Sequence, residues 1–293
     1  MTGSKSEQRD GVALSSDSLA AFISTKGAEL QSLRTRDGVD YLWAGEPSWP
    51  KHSPLLFPIV GRLAQDRYDY RGHSYAMTKH GFARDSLFSI VEASPHSARF
   101  ALRASDATRA VFPFEFLLEV EFTLDGPRLD IRHSVTNLGD ADMHFSIGAH
   151  PAFRWPLGDA AKAQSRINFE RHEPAPIRKL TGGLLGRMKD SPVEGRTLPL
   201  REELFADDAI IFDTLASKSL VYCCGSGRSV QIAWDGFQHL GLWSKPGADF
   251  LCIEPWHGYD SPVGFVGQLD EKPGIAHARP GERRDFTLRI EID

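Results

Sequence analysis

Along much of the chain, apolar and polar residues alternate one for one. In "FPFEFLLEVEFTLDG" every even position from Phe112 to Leu124 is apolar, with Glu115, Glu119, Glu121 and Thr123 between them. A period of two sends successive side chains to opposite faces of a strand. Asp125-Gly126 is a turn signal, and "RLDIRHSVTN" resumes the alternation with Leu129, Ile131, His133 and Val135. "NLGDAD" then turns the chain into "MHFSIGAH", which predicts a three-strand meander. "RYDYRGHSYAM" predicts a hairpin about Arg71-Gly72, and "SVQIAWD", "HLGLWS" and "DFLCIEP" predict three more strands. The last alternating run, "DFTLRIEI", carries Phe286, Leu288, Ile290 and Ile292. Helical periodicity is weak: "PLREELFADD" is good for a turn or two, and residues 157–203 are the least legible, with "TGGLLGRMKDSPVEGR" reading as loop. Strands recurring every 8–12 residues or so between turn signals predict an all-β fold, a large antiparallel β-sandwich or a barrel. With no linker, repeat or low-complexity break, the expectation is one domain over residues 11–293, after a frayed tail at residues 1–10.

The stretch "FSIGAHPAFRWP" breaks the pattern in an informative way. Met143, Phe145 and Ile147 occupy the odd positions, so His150 falls on the opposite, even face with His144, Ser146 and Gly148. Pro151 has no N–H for a ladder and limits pairing just beyond. The chain thus presents an imidazole on the non-core face of a strand where that strand stops.

Composition removes several classes of function. The chain of 293 residues is 41% hydrophobic, enough for a substantial core. Its formal charge is -5, its pI is near 6.1, and Lys and Arg form no runs, which argues against nucleic acid and anionic membranes as partners. No stretch is apolar for the roughly 18 residues that a membrane span needs, and the opening "MTGSKSEQRDG" has no signal-peptide core. Cys223, Cys224 and Cys252 fit neither a disulfide framework nor a zinc knuckle, and they read as plain thiols of a reducing cytoplasm.

Four constellations place polar side chains beside turn breakers at strand ends. They are "SPLLFPIVGRL" with Arg62, "KHGFARD" with His80 and Arg84, the His150 stretch, and "FLCIEPWHGYDSP" with Glu254 and Trp256. Each has an ordinary explanation: a hydrogen-bonded structural histidine, a surface ion pair, a turn carboxylate, a core tryptophan. Together, two histidines, a carboxylate, an arginine and aromatic rings are the fittings of a carbohydrate cleft. Planar donors and acceptors match sugar hydroxyls, and aromatic faces match C–H patches. A carboxylate with an imidazole also supplies a base and an acid near neutral pH.

In order, "SPLLFPIVGRL", "KHGFARD", "GAHPAFRWP", "LFADDAIIF" and "CIEPWHG" resemble the aldose 1-epimerase (galactose mutarotase-like) family, in particular its shorter bacterial branch. The resemblance runs from about Ala21 to Phe286 and implies a large antiparallel β-sandwich, in agreement with the period-two reading. It implies Glu254 as the base that takes the anomeric proton, and His150 as the acid that protonates the ring oxygen. It also implies that His80 bonds the sugar near that oxygen and that Arg62 contacts hydroxyls. Asp208 is implied as a substrate-binding acid, with Asp207 next to it as the competitor, and Trp256 and Phe153 as the sugar platform. No cofactor and no metal are expected: the spacing of His80, His150 and Glu254 contains no local ligand motif such as HExxH. The expected partner is a small aldose, while oligomeric state is silent. Two rival readings are a hexose-6-phosphate epimerase, which would draw on Arg62 and Arg84 for the phosphate, and a sugar-binding module without chemistry.

Overall fold

The computed structural model describes residues 10–293, so the tail expected over residues 1–10 lies, except for Asp10, outside the described residues. The fold is nearly all β: among those residues the one α-helix is Asp106–Arg109. The alternating runs form the centre of a nine-stranded antiparallel sheet. In it Arg128–Asn137 pairs with Phe116–Asp125 on one side and with Arg283–Ile292 on the other. The even residues Phe116 to Leu124 and the odd residues Leu129 and Ile131 are buried on one face, as the period requires. The hairpin about Arg71-Gly72 is present, as Arg67–Tyr70 against His73–Ala76.

A second, eight-stranded sheet packs on the first. Its centre is Phe250–His257, flanked by His239–Trp243 on one side and by Ile147–Ala149 and Ala152–Arg154 on the other. Leu240, Leu242, Leu251 and Ile253 from this sheet join Leu118, Ile131 and Leu288 of the first in one apolar core. That contact makes the structure a sandwich. The opposite face of the eight-stranded sheet carries Trp256 with Val60 and Ile211, and Phe250 with Cys252 and Trp43, in two smaller clusters. This outer face holds the site.

Two expectations are corrected here. The third strand of the meander does not extend the first sheet. Met143–Phe145 pairs with Ala276–Ala278, and the chain crosses at Ser146 into the eight-stranded sheet as Ile147–Ala149. Ser146 is fully buried and gives its N–H to the Pro58 carbonyl, so the crossing point is held by a bond from outside either ladder. The stretch "TGGLLGRMKDSPVEGR" is not all loop, since Leu184–Lys189 is a strand in it, and the surrounding residues 157–203 add Arg166–Phe169, Ile177–Thr181 and Thr197–Pro199. They lie at sheet margins, and Gly182-Gly183 turns a hairpin in which most side chains are partly or fully exposed. A strand exposed on both faces leaves no period in the sequence.

Candidate active site

His150 and Glu254 meet because of sheet register. Gly148 pairs with Trp256 and Ala152 with Cys252, so the segment 147–154 runs along 250–257 in one antiparallel register that sets residue 150 opposite residue 254. Pro151 interrupts the ladder between these pairs and accepts only the Ile253 N–H through its carbonyl. Both side chains fall on the outer face, and His150 Nε2 stands 3.1 Å from Glu254 Oε2. Glu254 is 1% exposed and His150 7%.

The pair closes the floor of a cavity of about 290 Å³, at the small end for ligand sites. Larger hollows exist on the surface, but this one contains the acid–base chemistry. Trp49 stacks on the His150 ring at 5.2 Å and 25°, and Trp243 meets that ring edge-on at 6.1 Å. The Trp256 indole lies over two glycines of the adjacent strands. A Cβ at Gly148 would stand 2.5 Å from Trp256 Cδ1, and one at Gly241 2.4 Å from its Cη2. Two buried polar atoms around the cavity, His150 Nδ1 and Trp256 Nε1, have no hydrogen-bond partner, and Glu254 Oε2 has the His150 ring alone. An orphaned buried polar atom is costly, and a ligand's hydroxyls would satisfy it.

His80 forms the adjoining wall, its ring 5.8 Å from that of His150 and nearly perpendicular to it. Its backbone is left-handed, with φ 69°, which aims the ring back at the chain, and its Nδ1 accepts the Gly61 N–H at 3.1 Å. The neutral ring therefore carries its proton on Nε2 and is a donor there. Gly81 follows at φ +71°, where a Cβ would lie 2.3 Å from the Phe57 carbonyl oxygen, so no side chain fits.

Burial dominates the electrostatics. It pushes the Glu254 carboxyl well above the usual carboxylate range and lowers His150 to about 3. At full burial, loss of water outweighs the Glu29 carboxylate, which acts the other way on His150. Both groups rest neutral, and the pair holds one proton. His80 is lowered well below its ordinary value by burial and then by the neighbouring His150. Asp260, buried at the cavity edge and bonded to the Arg62 N–H at 2.6 Å, is raised to about 6 by desolvation.

The structure brings His80, His150, Asp208, Glu254 and Trp256 to one cavity. It also resolves the aspartates: Asp208, left-handed at φ 67°, lines this cavity, whereas Asp207 is 72% exposed and pairs with Lys189. Arg62 and Phe153 lie elsewhere. The Arg62 guanidinium makes a two-pronged pair with Asp66 at 2.8 and 2.7 Å and does not line the cavity. Phe153 is fully buried among the sandwich core and offers no surface to a ring. The sequence reading missed Trp49, Trp243, Lys51, Lys79 and Asp260. For Trp243 and Asp260 there was a signal. Trp243 shares the outer-face parity of its strand, and Asp260 stands inside the quoted "FLCIEPWHGYDSP".

Among the described residues, one group could hold a metal ion: His150, Cys252 and Glu254, with ligand atoms within 4.8 Å of one another. The Cys252 thiol is fully buried and pushed well above its usual value by desolvation, so it favours the protonated form rather than the thiolate a metal needs. All three cysteines are free thiols.

The family model for aldose 1-epimerase matches residues 10–264. The protein LacX of Lactococcus lactis subsp. lactis is 31% identical over 295 residues, covering 96% of this chain and 99% of that protein. A galactose mutarotase-related enzyme from Lactobacillus acidophilus superposes with a TM-score of 0.90 at 28% identity, covering 97% of each chain. A galactose mutarotase-like protein from Lactobacillus casei gives the same TM-score and identity over 97% of this chain and 100% of its own. With its sandwich, its outer-face cavity and this match over most of its length, the chain belongs to the aldose 1-epimerase family.

Proposed function

We propose that the protein is a mutarotase, interconverting the α and β anomers of an aldose by acid–base ring opening. The observation that carries this reading is the buried His150–Glu254 pair, side by side in the lining of one cavity. With the pair's one proton on His150, Glu254 is the carboxylate that removes the proton from the anomeric hydroxyl. His150 then delivers its proton to the ring oxygen as the C1–O5 bond breaks. The product is the open-chain aldehyde, and the pair still holds one proton. Rotation about C1–C2 and reversal of the steps closes the ring on the other face. Desolvation opposes the charged tautomer of the pair in the empty cavity. A sugar hydroxyl bonded to the Glu254 carboxylate stabilises that tautomer only when substrate is present. His80 donates from Nε2 toward the ring oxygen, and Trp49 and Trp243 supply apolar faces for the ring.

A binding module would not need an acid and a base within one contact of each other. Polarimetry with freshly dissolved α-glucose and α-galactose tests the proposal. The expected result is equilibration faster than the spontaneous rate, lost in the His150→Asn protein. Equal rates with and without enzyme for every aldose tried would overturn it.

A further inference from the structure

Two consecutive residues tie His80 to Asp260, and both of these line the cavity. Gly61 exchanges two hydrogen bonds with His80: the His80 N–H donates to the Gly61 carbonyl at 2.9 Å, and the Gly61 N–H donates to His80 Nδ1 at 3.1 Å. Arg62 exchanges two more with the segment beyond Glu254. Its N–H donates to Asp260 Oδ1 at 2.6 Å, and its carbonyl accepts the Ser261 N–H at 2.9 Å. The Gly61–Arg62 peptide is thus held at both ends, its carbonyl by the His80 main chain and its N–H by Asp260. Gly61 stands at φ +72°, and a Cβ there would overlap the carboxyl carbon and both oxygens of Asp260, so the carboxylate rests against the Gly61 Cα itself. Asp260 is buried, and so is Lys272, whose ammonium donates to the Tyr259 carbonyl and acts on Asp260 as a positive neighbour. A turn can be closed by uncharged groups, and a carboxylate is expensive to bury for that purpose alone.

We propose that Asp260 is a positioning residue of this site: by gripping the Arg62 amide and packing on Gly61, it fixes the direction of the Gly61 N–H and, through that, the tautomer of His80. A glycine resists neither sign of φ, so the two peptide planes that meet at Gly61 keep their angle only if they are held from outside. A charge-assisted bond from a buried carboxylate is a stiff hold. Without it the Gly61–Arg62 peptide is free to turn, and the Gly61 N–H leaves His80 Nδ1. That nitrogen can then carry the ring proton, which leaves Nε2 as an acceptor. An acceptor cannot donate to the ring oxygen of a sugar. This catalytic consequence rests on the mutarotase reading, whereas the control of the tautomer does not.

The test reads the tautomer and the turnover separately in wild type, Asp260→Ala and Asp260→Asn proteins. Long-range 1H–15N spectra of the imidazoles, with the His80 signals assigned by their loss in His80→Gln, show which ring nitrogen carries the proton. Polarimetry with fresh α-glucose and α-galactose gives kcat and KM. In wild type the His80 proton is expected on Nε2 alone. Asp260→Ala should move it wholly or partly to Nδ1 and lower kcat about tenfold or more, with KM within about threefold. Asp260→Asn keeps an acceptor oxygen in the same place, so it should keep the wild-type spectrum and restore kcat to within about threefold of wild type. An unchanged His80 spectrum in Asp260→Ala overturns the inference, whatever happens to kcat, and so does a changed spectrum with kcat unaltered. An Asn variant that matches the Ala variant in both readouts also overturns it, because charge and not position would then be what counts. If wild type turns over no aldose while the spectrum still changes in Asp260→Ala alone, the mutarotase reading fails and the control of His80 by Asp260 stands. Gly61→Ala drives a methyl into the carboxylate and disturbs the same turn from the other side, so its His80 spectrum decides the matter if Asp260→Ala does not fold.

Discussion

His150 and Glu254 face each other across a single antiparallel register, 3.1 Å apart, although 103 residues of chain separate them (151–253). Their approach is a property of the sheet and needs no loop to close. In the proposed mechanism each acts on the same ring-opening step, so Glu254→Gln and His150→Asn should each lower kcat by at least about two decades. The double variant should lose less than the product of the two losses. Sugar binding by calorimetry should stay within about tenfold in both single variants. Multiplicative losses in the double variant would show the two groups acting in separate steps.

Gly241→Ala and Gly148→Ala should both damage the cavity without touching a polar group. The added methyl meets the Trp256 ring at 2.4–2.5 Å, and the indole must tilt into the space reserved for substrate. Overpacking of this kind costs about 1–3 kcal/mol. KM should rise about tenfold or more, with a shift in tryptophan fluorescence. An unchanged KM in both proteins would mean that the indole has room to move elsewhere.

The pair's proton count sets the pH profile. Its working form holds one proton, a second being added only near the low His150 value of about 3, and the last being lost at the raised value of Glu254. These are macroscopic steps of the pair. The expected kcat/KM is therefore flat between about pH 5 and 7, with its alkaline limb moved or lost in Glu254→Gln. A steep acid limb near pH 6.5, the model value for histidine, would show His150 to be solvated.

Acid should unfold the protein early. Burial lowers His133 to about 4 and His150 and His239 to about 3, and it lowers His80 well below normal. Below about pH 6.5 the unfolded chain takes up protons that the folded chain refuses, so stability falls as pH drops toward these folded values. Each group costs on the order of 1–2 kcal/mol by pH 5. Glu254 has the opposite sign. Its folded value is raised, so its contribution is lost as pH climbs above the unfolded value near 4.5, and Glu254→Gln should melt higher than wild type at pH 7. Thermal melts from pH 4.5 to 8 check both. A wild-type melting point that is level from pH 5 to 7 would contradict the buried neutral histidines.

Much of this was legible in advance where one face of a strand is buried. The runs 116–125, 128–137 and 283–292 show their period because their other face is polar, and His150 stood out as a polar residue at a strand end, whereas Glu254, read the same way, sits in the middle of Phe250–His257. Phe153 illustrates how far the same rule reaches. The parity that turns His150 outward continues past Pro151, with Ala152 outward and Phe153 in the core, so alternation contains the answer that the family resemblance obscured. Arg62 could not be placed, because Gly61 at φ +72° turns the chain and Asp66, four residues on, captures the guanidinium. Trp49 and Lys51 come from an irregular segment, where no period says which way a side chain points.

The Gly61 N–H on His80 has a further consequence. A ring whose Nδ1 is taken up by a backbone donor cannot accept a second proton without breaking that bond, and its backbone, locked in a left-handed turn, cannot swing away to make room. His80 is thus an insulator beside a wire. In the proposed mechanism it touches the ring oxygen of the sugar without ever competing for the mobile proton. On that mechanism one histidine conducts, the other does not, and the direction of a single main-chain amide makes the difference.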